Sequence, residues 1–192
     1  MKFITTISDW AYRQAQPHII LLLLLLVLVV NLFVFPYYTS RIVPDEGPPV
    51  LDLRFGFSAD QAYNTLEAFG NDGRAVYMEM LLVADTFYPL IYGLLLIFLA
   101  SFFVKRILKP GNEFRVINLL AVDAVIFDFL ENAGIALMIR QFPHRIDFVA
   151  GLTSVFNILK WIMVGLAVLL VLVSMGVYIF KRRYLWIYST NH

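Results

Sequence analysis

The chain has 192 residues, of which 60% are hydrophobic and 15% are charged, with a formal net charge of +1 and no cysteine. Soluble domains are about 45–50% apolar and about 25% charged, so this composition indicates a chain whose solvent is mostly lipid. The small net charge argues against a nucleic-acid partner, and the absence of cysteine excludes disulfides, thiolate metal sites and cysteine nucleophiles. The three histidines are not paired at ligand spacing, so we expect no metal site and can assign no cofactor.

Four apolar stretches are each long enough to cross a hydrocarbon core, which takes about 20 residues. They cover residues 18–35, 76–104, 116–139 and 151–180. We therefore predict an all-α fold, a polytopic bundle of four transmembrane helices in a single membrane domain over residues 1–192. A cleaved signal peptide is the alternative for the first stretch, but the residues that follow it offer no small-residue cleavage site.

Basic residues predict the orientation, because cytoplasmic loops of membrane proteins are rich in lysine and arginine. The connection between the second and third stretches carries Lys105, Arg106, Lys109 and Arg115 against the single acid Glu113. Basic residues also occur in the N-terminal segment and begin the C-terminal tail, residues 181–192. We expect these three regions to be cytoplasmic and residues 36–75 to be exterior. The expected location is a plasma membrane, such as the bacterial inner membrane.

The predicted exterior loop, residues 36–75, contains one helix signal. Ser58 and Gln61 form a capping-box pattern, in which Ser58 caps a helix N-terminus and Gln61 reaches back to it. Apolar residues then recur at helical spacing, namely Ala62, Tyr63, Leu66 and Phe69. With Gly70 as a stop signal, we predict a short amphipathic helix over residues 59–69 that buries this face on the membrane or the bundle. A plain surface turn is the alternative.

Polar side chains interrupt all four predicted membrane helices. An ionisable group at the bilayer centre costs about 2.5–3.5 kcal/mol by insertion scales, so each one needs a partner, water or a function. The first helix carries Asn31; the second carries Asp85 with Tyr88 and Tyr92 on the same face; the third carries Asp123, Asp128, Glu131 and Asn132; the fourth carries Asn157, Lys160 and Trp161.

Helical spacing predicts which of these side chains belong together. At about 100° per residue, Asp128, Glu131 and Asn132 share one stripe of the third helix with small residues. Small and polar residues are what a membrane helix turns toward its neighbours. Asn157 and Lys160 form a comparable stripe on the fourth helix. We therefore predict that the two stripes meet inside the bundle.

Depth in the membrane gives a second test of this grouping. At a rise of about 1.5 Å per residue, Asp85 lies roughly 10 Å outside the midplane, Lys160 about 7 Å, Asn31 about 6 Å and Glu131 about 5 Å, with Asp128 near the centre. These positions share the exterior half of the bilayer and predict a polar chamber there. Asp123 lies on another face, nearer the cytoplasm, and is expected to stand apart.

The predicted chamber has a structural and a functional interpretation. Lys160 could form a buried ion pair that fixes helix register, since such pairs contribute to specificity more often than to stability. One lysine against three acids nevertheless leaves surplus carboxylates, and such groups in a low-dielectric pocket are typical of functional sites. The candidate ligand-binding residues are Asp85, Tyr88, Asp128, Glu131, Asn132, Asn157 and Lys160. Asp85, Asp128 and Glu131 are the candidates for acid–base catalysis, with Lys160 as an electrostatic clamp.

Three functions agree with this pattern, and the sequence leaves open whether the protein is an enzyme. In the first, the chamber binds a small polar or lipid-headgroup ligand, with a carboxylate available for acid–base chemistry. In the second, the carboxylates relay protons or cations during transport, although the apolar cytoplasmic halves of the second and fourth helices count against this. In the third, the chain is an accessory subunit whose charges pair with a membrane-protein partner. The lipid bilayer is a partner in all three.

Overall fold

The structure is a computed structural model that describes residues 2–43 and 47–190, with the backbone alone for residues 2 and 184–190. Every regular element within these ranges is a helix, so the predicted all-α class is confirmed. The elements are α1 (Lys2–Gln14), α2 (Pro17–Val29), a π-helical turn (Val30–Val34), α3 (Phe35–Ile42), a 3-10 turn (Leu51–Leu53), α4 (Ala59–Ala68), α5 (Gly70–Ile107), a 3-10 helix (Glu113–Leu119), α6 (Ala121–Gln141) and α7 (Asp147–Thr190).

Three helical stretches in the described residues are long and apolar enough to cross a membrane, which indicates a membrane protein. They are Pro17–Ile42, Gly70–Ile107 and Asp147–Arg183, and they correspond to the first, second and fourth predicted helices. The counterpart of the third, α6, has 21 residues but carries Asp123, Asp128 and Glu131 and is not among the three.

The first and second helical stretches of the structure extend beyond the apolar stretches that predicted them. The first was expected to end at residue 35, but the chain stays helical to Ile42. The π-helical turn changes the hydrogen-bond register just before Pro36, so the helix accommodates a residue without an N–H. The second was expected to begin at residue 76, but α5 begins at Gly70. With φ of +64°, Gly70 does end α4 as predicted, and the next helix starts there directly.

The third and fourth predicted helices also differ from the structure at their ends. The third was expected from residue 116, but Glu113–Leu119 is a 3-10 helix, which the Asn112 side chain caps by accepting from Phe114 N at 2.9 Å. The fourth was expected over residues 151–180, whereas α7 spans Asp147–Thr190. Residues 181–190 of the predicted tail are therefore helical, and residues 191 and 192 lie outside the described residues.

The short helix α4 has the capping box that the sequence predicts. Ser58 Oγ accepts from Gln61 N at 3.1 Å, and Gln61 Oε1 accepts from Ser58 N at 2.8 Å. The apolar face of α4, with Ala62, Tyr63 and Leu66, is buried in the same hydrophobic cluster as the start of α5 and the end of α6. The helix is therefore part of the packed core at this end of the molecule.

Helix α5 is the common neighbour in the bundle, since it packs against α1, α2, α3, α6 and α7. The pair α6 and α7 is packed closely where Gly134 of α6 faces Thr153 of α7. A Cβ atom added to Gly134 would overlap Thr153 Oγ1 and lie 3.0 Å from Thr153 Cβ, which is too close for an unstrained contact. The absence of a side chain at Gly134 thus lets the two backbones approach.

We predict that Gly134→Ala lowers the stability of the protein by about 1–3 kcal/mol, because the added methyl group overpacks the contact with Thr153. Gly165→Ala is the matched control, since its added Cβ would meet nothing within 4 Å on α7. There the better helix propensity of alanine should stabilise by up to about 1 kcal/mol. Thermal unfolding of both variants in detergent tests this. Equal melting temperatures would show that the α6–α7 contact is not close-packed at Gly134.

Candidate functional site

An ion pair between α6 and α7 lies at the centre of the polar cluster. Lys160 Nζ is 2.5 Å from Glu131 Oε2, and the two side chains are 8% and 0% exposed. The other carboxyl oxygen of Glu131 accepts from Asn157 Nδ2 at 2.7 Å. Asn157 and Lys160 are three residues apart and therefore lie on one face of α7. The predicted stripes of the third and fourth helices do meet.

A second carboxylate, Asp128, is bound by neighbours on two helices. Tyr92 of α5 donates to Asp128 Oδ2 at 2.8 Å, and both residues are buried. Asn132, one turn further along α6, donates to Asp128 Oδ1 at 3.2 Å and to the backbone oxygen of Asp85 at 3.3 Å. The hydrogen bonds of Asn132 thus connect the acidic stripe of α6 to α5 at Asp85.

The carboxyl group of Asp85 is buried but not bonded. Asp85 is 6% exposed, and its Oδ2 atom has no hydrogen-bond partner among the described residues. The amide oxygen of Asn132, which is also buried, is likewise without a partner among the described residues. Buried polar groups in native proteins are normally hydrogen-bonded, so these two unpaired acceptors require an explanation.

The segment before α4 reaches into the cluster, and sequence reasoning missed it. Asp52 Oδ1 accepts from Tyr77 OH at 2.7 Å, and the backbone oxygen of Asp52 lies 3.4 Å from Lys160 Nζ and 3.3 Å from Trp161 Nε1. Asp52 lies within residues 36–75, which the sequence predicts to be an exterior loop. The sequence gives no clear signal for Asp52, since Leu51 on one side of it is buried but Leu53 on the other is 62% exposed.

The same segment is fixed to α7 through its backbone. Asn157 Oδ1 accepts from Gly56 N at 2.7 Å, and Ser154 Oγ accepts from Phe57 N at 2.8 Å. Gly56 has φ of +79°, and a Cβ there would lie 2.9 Å from Ile158 Cδ1, so a larger residue would be strained and crowded. Asn157 therefore joins the loop backbone to Glu131.

A cavity of about 620 Å³ adjoins these groups. Its polar lining residues are Asn31, Thr39, Asp52, Tyr88, Tyr92, Asp85, Asp128, Asn132, Lys160 and Trp161, and its apolar lining residues include Val27, Phe35, Val50, Leu53, Met80, Leu95, Leu96 and Val164. At the first helix, Asn31 in the π-helical turn donates to Tyr88 OH at 2.8 Å. π-helical turns are frequent at functional sites.

The structure brings together all seven candidate ligand-binding residues. Asp85, Tyr88, Asp128, Asn132 and Lys160 line the cavity, and Glu131 and Asn157 lie directly behind Lys160. Asp123, as expected, stands apart, because it is exposed and does not line the cavity. Within the part of the chain that the structure describes, no three His, Asp or Glu side chains are grouped so as to hold a metal ion.

Comparison with protein families, curated proteins and solved structures finds no match to this chain. The function must therefore be argued from the site.

We predict that Lys160→Met alone lowers stability by about 3–5 kcal/mol, because it leaves Glu131 as an unpaired buried charge. Combining it with Glu131→Gln should recover most of this loss, since the glutamine is uncharged and can still accept from Asn157. Thermal unfolding in detergent compares the two variants with the parent. A single variant as stable as the parent would show that Glu131 does not depend on Lys160.

Proposed function

We propose that this chain is a four-span membrane protein that binds a small polar molecule or a lipid headgroup in the cavity, within the exterior half of the bilayer. α6 is the fourth span in this proposal. Its 21 residues reach about 30 Å, the thickness of a hydrocarbon core. The acids that make it less apolar do not argue against a span, because Asp128 and Glu131 are buried among protein partners and Asp123 lies in the first turn.

The orientation in the proposal places both termini and the α5–α6 connection in the cytoplasm. That connection contains Lys105, Arg106, Lys109 and Arg115, and such charge is typical of cytoplasmic loops. The short helix α4 then lies on the exterior side. An ion pair joins α4 to the α6–α7 connection, with Arg145 Nη2 at 2.6 Å from Asp60 Oδ1. That hydrogen bond, together with the one to Asp147, raises the pKa of the Arg145 guanidinium above its ordinary value.

We predict that a cysteine at Pro110 is labelled by a membrane-impermeant maleimide only after cells are permeabilised, whereas one at Asp72 is labelled on intact cells. The chain has no cysteine of its own, so each variant carries one reactive thiol. Pro110 serves better than Gly111, whose φ of +84° disfavours any side chain. The opposite labelling pattern would reverse the orientation.

One observation carries the binding proposal: the unpaired, buried carboxyl group of Asp85 lies in the wall of a large cavity. Leaving a buried acceptor unsatisfied costs about 1–3 kcal/mol, more for a charged group. A ligand that donates hydrogen bonds to Asp85 and Asn132 would remove this cost. The cavity volume of about 620 Å³ is within the usual range of small-molecule sites, and its mixture of apolar walls and few polar groups is typical of them.

If the site is also catalytic, Asp85 is the acid–base group that the geometry favours. Asp128 accepts hydrogen bonds on both oxygens, and Glu131 is held by Lys160 and Asn157. Asp85 has an oxygen that no described residue binds. A general acid or base must reach its substrate directly, and Asp85 is part of the cavity wall.

The two other functions have less support. An accessory subunit that pairs its charges with a partner would present them on its outer surface, whereas Asp85, Asp128, Glu131 and Lys160 are all buried within the chain. A relay would need a polar path to the cytoplasm. Instead, the far end of the bundle contains an apolar cluster that includes Leu23, Leu95 and Phe98.

We predict that Trp161 reports ligand binding, because it lines the cavity and is 37% exposed. Of the three tryptophans, Trp10 and Trp186 would be replaced by phenylalanine, and the variant placed in phosphatidylcholine nanodiscs. Three ω-brominated dodecyl probes would be added, an alcohol, a carboxylate and an ammonium. At least one should quench Trp161 saturably, above the linear quenching that follows from partition into lipid.

Filling the cavity provides the control. Val164→Phe should abolish saturable quenching because Val164 lines the cavity, and Val168→Phe should preserve it because Val168 is one turn away and 40% exposed on the outer face. A Trp161→Phe variant carrying Leu169→Trp, at a residue that is 55% exposed, should show linear quenching alone. Linear quenching of Trp161 by all three probes would contradict the binding function.

A further inference from the structure

Acidic side chains outnumber basic side chains around the cavity. Among the described residues that line it or contact its lining, the carboxyl groups are those of Asp52, Asp85, Asp128 and Glu131, and the ammonium group is that of Lys160. Lys160 is already paired with Glu131. Three carboxyl groups thus remain without an ion-pair partner among the described residues, and a ligand that carries a cationic group would complement them. Under the proposed binding function, on which this inference rests, that group belongs to the ligand in the cavity.

The unpaired atoms at the site are acceptors. Asp85 Oδ2 and Asn132 Oδ1 have no hydrogen-bond partner in the part of the chain that the structure describes, and both residues line the cavity. The amide and indole donors there are engaged: Asn132 Nδ2 binds Asp128 and Asp85 O, and the indole N–H of Trp161 binds Asp52 O. A ligand that donates hydrogen bonds would complement the two unpaired acceptors. An anionic headgroup, such as a phosphate or a carboxylate, would bring further acceptors to a wall that already carries three carboxyl groups.

Aromatic rings form part of the same wall. The Phe35 ring contacts the Tyr88 ring edge-on at 4.9 Å, and the Tyr88 ring lies 5.3 Å from that of Tyr92. Trp161, across the cavity, already has Lys160 Nζ 5.3 Å from its ring centre. Aromatic faces attract ammonium groups, and the attraction is strongest where water is excluded. Aromatic rings beside carboxylates are a combination that selects for organic cations.

Apolar residues line the remainder of the cavity. Val27 and Leu96 lie on the side of the first span, and Val164 lies on α7. The first span packs on α5, while α7 packs on α5 and α6, so the first span and α7 are not extensively packed against each other. An apolar chain could therefore enter between them from the bilayer while a polar head reaches Asp85.

We infer that the ligand is an amphiphilic amine, with a protonated amino group bound at Asp85 and Asn132 and an apolar chain along Val27 and Leu96. The ammonium group donates hydrogen bonds to Asp85 and Asn132 and complements the carboxyl groups of the cavity wall. Binding then orients the molecule with its head toward α4 and its chain toward the apolar cluster at the far end.

The headgroup order of the brominated probes tests this inference on the Trp161 reporter protein. ω-Bromododecylammonium should saturate at a concentration about tenfold or more below that of ω-bromododecanol, because hydrogen bonds to charged groups are the stronger ones. The carboxylate probe should show no saturation. If the alcohol or the carboxylate saturates at the lowest concentration, the amine is the wrong ligand class while the binding function stands. If no probe saturates, the binding function itself fails.

The isosteric variant Asp85→Asn identifies the group that recognises the amine. It should raise the half-saturating concentration of the ammonium probe about tenfold and leave that of the alcohol within about twofold. Asp123→Asn is the matched control, because Asp123 is exposed and lies outside the cavity, and it should change neither value. An ammonium half-saturation that Asp85→Asn leaves unchanged would overturn the role of Asp85.

Chain length separates a membrane amphiphile from a soluble amine. n-Butylammonium, at the same aqueous concentration, should not displace ω-bromododecylammonium, because it lacks the chain that occupies the apolar walls. Displacement at equal concentration would overturn the amphiphilic part of the inference and indicate a water-borne amine instead.

Discussion

The buried ion pair between Glu131 and Lys160 is the interaction on which the rest of the site depends. Both side chains are buried, so bulk water does not hydrate either charge freely and each must be satisfied by protein groups. Glu131 uses Lys160 on one oxygen and Asn157 on the other, and Lys160 also lies 3.4 Å from the backbone oxygen of Asp52. The pair therefore positions a loop as well as two helices.

The shape of the cavity follows from this arrangement. Asn157 accepts from Gly56 N while it donates to Glu131, so the loop before α4 is held over one end of the bundle. Lys160 forms its ion pair with Glu131 of α6 and not with Asp85. Asp85, which lines the cavity, is thus left without an ion-pair partner among the described residues, and a bound molecule could complete its hydrogen bonds. The ion pair therefore has a structural role, and the same contacts position the wall of the cavity that we propose as the binding site.

The helices and most of the site could be predicted from the sequence because both depend on local periodicity. Asp128, Glu131 and Asn132 share a stripe through helical geometry alone, and the capping box at Ser58 is a local pattern. The contribution of Asp52 could not be predicted, since the path of a loop depends on tertiary contacts. Two helix ends could not be predicted from the sequence. A π-helical turn lets the first helix continue past Pro36, and α5 begins at Gly70, the residue that was expected to be followed by a loop.

The most direct test of the central claim is an experimental structure of the protein purified in lipid nanodiscs without delipidation. The account predicts non-protein density in the cavity, with a hydrogen-bonding group within contact of Asp85 and Asn132 and an elongated part beside Leu96. A structure in which the cavity is closed, with the Asp85 carboxyl group hydrogen-bonded to another side chain of the protein, would contradict it.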